Sequence, residues 1–210
     1  TSSSPTSSAS DWIWGRVREH VPKTLQFGMQ AILFVCTANI CRSPMAGALL
    51  RGSAAPSGMI EVESAGVWAE PGRPAPDGSV AAMARMGIDL SGHRSRRVSP
   101  QLIEWSELVV TMESRHVVDL VARYPLAVDR IFTLREVVEL VDTSIDSPGA
   151  GLVDRLPDLA AGRSVREHLH RTDLDVVDPI GHPRSHYRRC ATELNELCEK
   201  LAAWLPPPIS

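Results

Sequence analysis

The feature that most restricts the fold of this chain is an unbroken apolar run at residues 31–35. Five apolar residues in a row, without alternating polar ones, are typical of a strand buried on both sides in a parallel sheet. A loop follows, and Ser43 and Pro44 then predict the start of a helix, with Ser43 as N-cap and Pro44 at the first helical position. The segment is therefore predicted to be a strand, a loop and a helix in that order.

The same alternation of strand and helix patterns continues along the chain. The predicted strands are 31–35, 60–64, 108–112 and 130–132. The predicted helices are one starting at Ser43, 77–86 with Gly87 as its stop, 113–123, one ending at Leu140, and an amphipathic helix over 184–205. Such alternation predicts an α/β fold, Rossmann-like, with a four-stranded parallel sheet flanked by helices on both faces.

The length of 210 residues suits one domain, which we place at 29–205. Residues 1–28 are predicted to be a disordered or peripheral extension: a small polar tail, then a Trp-bearing stretch able to form a short docked helix. Residues 142–177 interrupt the alternation and are predicted to be an insertion or lid, with a short helix over 163–170. Residues 206–210 form a proline-rich tail.

Composition excludes several classes of protein. The chain has 22 Lys and Arg against 25 Asp and Glu, a net charge of −3, so no overall positive field favours nucleic acid. We see no apolar run of the roughly 18–20 residues needed to span a membrane, and no secretory signal. Four cysteines are too few for a disulfide scaffold. These features predict a cytoplasmic protein, and they leave its oligomeric state open.

The loop after the first strand carries the chemistry. Five residues separate Cys36 from Arg42, enough for backbone N–H groups to turn inward beside the positive end of the following helix. Such a cradle suits a phosphate dianion, which the guanidinium of Arg42 would bind with two donors. The same field would stabilise a Cys36 thiolate as nucleophile, and Ser43 would donate to its sulfur. Taken singly, Cys36 could be a small core residue and Arg42 a surface cation.

This segment resembles the signature C-x5-R-S-P of the low-molecular-weight protein tyrosine phosphatases. The agreement extends through 35–46 with Ala38 where Gly is usual, and recurs at 64–66, 87–96, 110–112 and at Asp178-Pro179. The resemblance implies hydrolysis through a phosphocysteine intermediate, with Asp178 as general acid and then base and with neither metal nor cofactor. The residues it implies for binding the substrate are Thr37, Ala38, Asn39, Ile40, Cys41 and Trp68.

The resemblance also suggests individual roles in this loop. Asn39 would brace the cradle with its side chain, although it could instead be a plain turn residue. Cys41 would form a reversible disulfide with Cys36, or be a small buried thiol. Trp68 would supply one wall of the pocket, or pack its own loop down. An Asp-Pro pair such as Asp178-Pro179 is by itself an ordinary turn signal.

Two substrate classes are open, because the family includes phosphatases for phosphotyrosine and for phosphoarginine. Ile40 favours phosphotyrosine, since an apolar wall packs on a phenyl ring and leaves guanidinium N–H groups unpaired, whereas the arginine branch usually has Thr there. Ile180 and Gly181 after Asp178-Pro179 favour phosphoarginine, because tyrosine phosphatases commonly have two aromatic residues there. Phosphotyrosine in proteins is our first prediction.

Two other functions are weighed against hydrolysis. Arsenate reduction would need a later redox pair, but Cys190 and Cys198 are eight positions apart on one predicted helix, about 12 Å at 1.5 Å per residue. A non-catalytic phosphoprotein-binding module would not need Cys36 as nucleophile or Asp178 as acid. The partner that we expect is therefore a phosphorylated protein substrate.

Overall fold

Four parallel strands form the centre of the protein in this computed structural model. They are β1 (Gln30–Cys36), β2 (Ile60–Gly66), β3 (Leu108–Thr111) and β4 (Ile131–Thr133), arranged in the order β2-β1-β3-β4. The structure describes residues 30–54, 60–143, 152–161, 163 and 171–205. The predicted four-stranded parallel sheet is confirmed, with each strand pattern found within two residues of its predicted bounds.

Both faces of the sheet are buried, as the apolar run in β1 requires. Ile32 and Phe34 belong to one core cluster, and Leu33 and Val35 belong to a second cluster on the opposite face. All four side chains are fully buried. Successive residues of a strand point to opposite faces, so a strand covered on both sides has no position that favours a polar residue.

Helices cover each face. They are α1 (Arg42–Ala54), α2 (Asp77–Ala84), α3 (Pro100–Trp105), α4 (Ser114–Arg123), α5 (Leu134–Thr143), α6 (Leu152–Ala160) and α7 (Arg184–Trp204). Residues of α3 and α4 join the cluster of Leu33, while residues of α1, α2, α5, α6 and α7 join the cluster of Phe34. The predicted α/β architecture with helices on both faces is confirmed.

The start of α1 corrects the prediction from sequence. The helix begins at Arg42, so Ser43 is not its N-cap and Pro44 is not at the first helical position. The Ser43 hydroxyl lies near the sulfur of Cys36 and the carbonyl of Ala65. A serine before a proline predicts a cap from local pattern alone, but here the hydroxyl is used by the loop.

Two helices were not predicted. In α3, the Ser99 hydroxyl accepts from the backbone N–H of Leu102, and Pro100 opens the helix. In α6, an internal Pro157 hides the pattern, although Leu152, Leu156 and Leu159 enter the main core.

The other differences concern helix bounds and predictions that fall outside the described residues. α2 ends at Ala84, and the chain turns through Gly87, whose φ is +77°. Of the helix predicted over 163–170, residues 164–170 lie outside the described residues, as do the extension 1–28 and the tail 206–210. A lid role for 142–177 stays a prediction. No described helix combines the length and apolar character that crossing a membrane needs.

Candidate active site

The loop between β1 and α1 lies at the carboxyl edge of the sheet, where parallel α/β folds bind their ligands. Its end is joined to α1 by a hydrogen bond from the backbone N–H of Met45 to the carbonyl of Cys41. Cys36 and Arg42, which bracket the loop, are both buried, at 3% and 1% exposure. The two residues that their spacing in the sequence paired as candidates are thus both buried at the ends of this loop.

Two polar groups contact the sulfur of Cys36. The backbone N–H of Asn39 donates to Sγ over 3.2 Å, and the Ser43 hydroxyl lies 3.0 Å from the same atom. The N-terminus of α1, with its partial positive charge, directly follows the loop. All four cysteines of the chain are free thiols. The Asn39 N–H and the Ser43 hydroxyl are thus the polar groups in contact with this sulfur.

Asn39 braces the loop from inside the protein. Its side-chain Nδ2 donates to the hydroxyls of Ser43 and Ser64 over 3.0 and 2.9 Å, and its Oδ1 accepts the backbone N–H of Arg96 over 2.9 Å. Its carbonyl lies 2.6 Å from Nε2 of His93. These four contacts hold the buried side chain and the carbonyl of Asn39 in place, and they fix the curvature of the loop.

Backbone geometry explains two residue choices around this loop. Asn39 has a φ of +54°, a left-handed conformation that asparagine tolerates better than most residues. Ala38 is not among the described residues with positive φ, so its methyl group causes no strain where the family usually has Gly. Gly66 at the end of β2 leaves no room for a Cβ, which would lie 2.7 Å from the Thr37 carbonyl.

Arg42 links the loop to two other segments. One guanidinium nitrogen donates to Oε1 of Glu113 and, over 3.0 Å, to the carbonyl of Val176. The other donates to Oδ2 of Asp178 over 2.5 Å. Burial lowers the pKa of Arg42, but the charges of Cys36, Asp178 and Glu113 raise it by more. The pKa is therefore above its ordinary value, and the guanidinium stays charged.

Glu113, between β3 and α4, and His116, in the first turn of α4, were not predicted as site residues. Glu113 pairs with both Arg42 and Arg115, and Nε2 of His116 lies 3.0 Å from the Thr37 hydroxyl. Burial lowers the pKa of His116 to about 4, so it is neutral near pH 7. The only signal for these residues in the sequence is their position, directly after a strand whose carboxyl end faces the same edge.

We expect Glu113→Gln to lower the free energy of unfolding by about 2 kcal/mol near pH 7, because it leaves buried Arg42 without one of its charged partners. Burial raises the pKa of Glu113, but Arg42, Arg115 and His116 lower it more, to below its ordinary value of 4.5. The stabilisation is therefore fully present above pH 4.5 and is lost as the pH falls through the lower folded pKa. Urea unfolding of both proteins at pH 7 and pH 3.5 measures the difference.

The control is Glu63→Gln, which breaks a half-exposed pair with Arg96. This variant should lose less than about 1 kcal/mol, because exposed ion pairs contribute little. An equal loss in the two variants, or a Glu113→Gln difference that does not shrink in acid, would contradict the role of the buried pair.

Asp178 reaches the site from the segment before α7. The backbone of this segment is attached to the sheet, since the N–H of Val176 donates to the carbonyl of Met112 over 2.8 Å. Beyond its bond to Arg42, the Asp178 carboxylate accepts the backbone N–H of Ile180 over 3.0 Å. The structure therefore brings Asp178 to the guanidinium that lies beside Cys36, 142 positions earlier in the chain.

The remaining predicted residues lie at different depths. Ile40 and Cys41 are buried in the main core cluster, and burial raises the pKa of Cys41 to about 12. Trp68 is 61% exposed, with its backbone N–H bonded to the Thr37 carbonyl and the guanidinium of Arg123 over its ring at 4.6 Å. A Cys36–Cys41 disulfide and a wall role for Trp68 stay predictions.

The sheet, the buried cysteine loop and its arginine define a phosphate-handling enzyme, and comparison with known proteins agrees. The family model for the low molecular weight phosphotyrosine protein phosphatases matches residues 31–155. A protein-arginine-phosphatase of Geobacillus stearothermophilus is 35% identical over 81% of this chain and 93% of its own length. A probable low molecular weight protein-tyrosine-phosphatase of Ralstonia solanacearum is 39% identical over 57% of this chain and 79% of its own.

Solved structures show the same relationship. A low molecular weight protein tyrosine phosphatase from T. tengcongensis superposes with a TM-score of 0.65 at 32% identity, covering 84% of this chain and 99% of that one. The chain belongs to the low molecular weight phosphotyrosine protein phosphatase family. It is accordingly a phosphatase, and the resemblance found in the sequence is confirmed.

Proposed function

We propose that this phosphatase hydrolyses phosphotyrosine in proteins, with Cys36 as nucleophile. The observation that carries the proposal is the environment of its sulfur, which has the Asn39 N–H and the Ser43 hydroxyl within 3.2 Å and buried Arg42 on the same loop. The backbone of Thr37, Ala38, Asn39, Ile40 and Cys41 forms the cradle for the phosphoryl oxygens. Arg42 binds two of these oxygens and stabilises the charge that develops on them.

The reaction has two steps. The Cys36 thiolate attacks phosphorus, an S–P bond forms, the bond to the leaving oxygen breaks, and Asp178 gives that oxygen its proton. A water then attacks the phosphocysteine, Asp178 takes a proton from it, and the S–P bond breaks to return the thiolate and free phosphate. The Ser43 hydroxyl stabilises the departing sulfur by a hydrogen bond. Mass spectrometry of acid-quenched enzyme should locate the phosphoryl group on Cys36.

The ion pair between Arg42 and Asp178 has a role in this sequence. A general acid must hold a proton that faces the leaving group, whereas the Asp178 carboxylate here accepts from the guanidinium over 2.5 Å. A phosphoryl group in the cradle offers Arg42 a more highly charged partner at the same place. We therefore infer that substrate binding separates this pair and frees Asp178 for proton transfer.

Ile40 supports phosphotyrosine as the substrate. Its side chain is buried among apolar residues of the cluster that contains Cys36, Cys41 and Tyr187. An apolar side chain on the cradle offers no acceptor for the N–H groups of a phosphorylated guanidinium, and leaving these groups unpaired weakens binding. A phenyl ring loses nothing at such a wall.

We expect Ile40→Thr to shift the preference from phosphotyrosine towards phosphoarginine peptides by at least about tenfold in the ratio of kcat/KM, because the hydroxyl supplies an acceptor. Side-by-side assays of two peptides that differ only in the phosphorylated residue measure the ratio. Ile103→Thr, a buried isoleucine on the other face of the sheet, is the matched control and should leave the ratio unchanged. A ratio that stays constant in Ile40→Thr would show that this wall does not select the substrate.

Phosphoarginine is the second candidate, for two reasons. The arginine phosphatase of G. stearothermophilus matches most of this chain, and the residue after Pro179 is the half-exposed Ile180 instead of an aromatic one. A wild-type preference for the phosphoarginine peptide in the same assay would select this alternative. Absence of turnover on both peptides would favour a non-catalytic binding module.

A reducing compartment such as the cytoplasm would keep the Cys36 thiol free for catalysis.

A further inference from the structure

Three arginines near the catalytic loop have no carboxylate partner among the residues that the structure describes. Arg94 donates to the carbonyls of Ser91 and His93, over 3.2 and 2.7 Å. Arg97 donates to the carbonyl of Ala69 over 3.1 Å. Arg123 donates to the carbonyl of Val67 over 3.4 Å and stacks on Trp68. We call Arg94, Arg97 and Arg123 the basic rim.

The basic rim is attached to the loop that holds the phosphoryl group. Trp68, whose ring stacks with the guanidinium of Arg123, donates its backbone N–H to the Thr37 carbonyl over 2.9 Å. The segment that carries Arg94 and Arg97 contacts Asn39 twice, through Nε2 of His93 at 2.6 Å and the backbone N–H of Arg96 at 2.9 Å. These short connections join the segments around the basic rim to Thr37 and Asn39 of the loop.

None of the carboxylates that the structure describes forms an ion pair with the basic rim. Three acidic residues near it have other partners: Glu63 pairs with Arg96, Glu70 lies 3.9 Å from Arg73, and Glu113 pairs with Arg42 and Arg115. The whole chain has a net charge of −3, so this positive surface is a local excess. Each rim side chain is exposed and positioned by a backbone carbonyl, with further N–H groups left for a ligand.

We propose that the basic rim binds acidic side chains that flank the phosphorylated residue of a protein substrate. A guanidinium matches a carboxylate in shape and offers two parallel donors, and an arginine already held in place loses less freedom on binding. Exposed Trp68, beneath the guanidinium of Arg123, adds an apolar surface. The proposal rests on the proposed function, because the phosphorylated residue must occupy the cradle while its neighbours contact the rim.

Electrostatic steering gives a different result from specific contacts. A diffuse positive field accelerates the binding of every phosphate in proportion to total charge. Contacts with the rim instead depend on where the acidic residues stand relative to the phosphorylated one. The test therefore needs phosphopeptides of equal net charge, with acidic residues either beside the phosphotyrosine or at least eight residues away from it, and a neutral peptide.

The experiment measures kcat/KM for these peptides with wild type, Arg97→Glu, Arg123→Glu and the double variant. Each exposed ion pair changes binding by up to about fivefold, so we expect wild type to prefer adjacent over distant acidic residues by about tenfold. The double variant should lose or reverse that preference. Its kcat on p-nitrophenyl phosphate should stay within about twofold of wild type. Arg85→Glu, at the end of α2 on the opposite face, is the matched control and should keep the preference.

The outcomes separate this proposal from the proposed function. Equal rates for adjacent and distant acidic residues, or equal losses on all peptides in the double variant, would overturn the basic rim. A wild type without turnover would instead contradict the proposed function. In that case, fluorescence anisotropy of the same labelled peptides still decides: retention of the preference for adjacent acidic residues supports the rim, and its absence overturns it.

Discussion

Replacing Cys36 with serine should reduce turnover of p-nitrophenyl phosphate by at least about 10⁴-fold, the scale on which enzymes lose activity without their nucleophile. The proposed nucleophile is the Cys36 sulfur, which the Asn39 N–H and the Ser43 hydroxyl contact, and a serine oxygen in its place is a much weaker nucleophile. Steady-state assays over a range of substrate concentrations measure kcat. We expect the loss in kcat, with KM changed far less, because the cradle and Arg42 still bind the phosphoryl group.

The control for this variant is Cys198→Ala. It removes another buried thiol, which lies in α7 and contacts the carbonyl of Ala46 outside the loop. Its kcat should stay close to wild type, and circular dichroism should show that both variants fold. Turnover in Cys36→Ser within tenfold of wild type would exclude this sulfur as the group that accepts phosphorus.

Replacing Asp178 with alanine should slow hydrolysis in a way that depends on the leaving group. Phenyl phosphate, with a poor leaving group, should lose about 10²–10⁴-fold in kcat/KM, the usual contribution of a general acid. p-Nitrophenyl phosphate, whose leaving group departs without a proton, should lose much less. Parallel assays of the two substrates give the ratio that reports proton transfer directly.

Asp173→Ala is the matched control, because this aspartate lies on the same segment, is exposed and pairs with Arg171. It should leave both substrates unaffected. Equal losses on both substrates in Asp178→Ala would assign this carboxylate to the placement of Arg42, which it contacts over 2.5 Å, and would remove it from the proton-transfer step.

Much of the site was predictable because it is local in the chain. The apolar run before Cys36 predicts a doubly buried strand, and the spacing from Cys36 to Arg42 predicts an anion-binding loop. The resemblance also suggested that the Asn39 side chain braces this loop, and that side chain contacts Ser43, Ser64 and Arg96. The apolar run, Cys36, Asn39 and Arg42 all lie between 31 and 42, so short-range pattern carries the information.

The start of α1 and the presence of α6 show where local pattern fails. Ser43 has the residue type of an N-cap, but its hydroxyl lies at the sulfur of Cys36. Pro157 argues against a helix, yet α6 forms because three leucines at its buried positions enter the core. A contact within the loop in the first case, and contacts with distant parts of the core in the second, outweigh local preference.

By itself, the sequence determined the strand order along the chain and the parallel class of the sheet, and it proposed Cys36 as nucleophile with Arg42 beside it. Only the tertiary structure decided which charges meet. Arg42 pairs with Glu113 and Asp178, which are 71 and 136 positions away, because the ends of β3 and of the segment before α7 converge on one edge of the sheet. Neither carboxylate has a local pattern that reports this, since the free energy of such a pair depends on burial and distance between segments that only folding brings together.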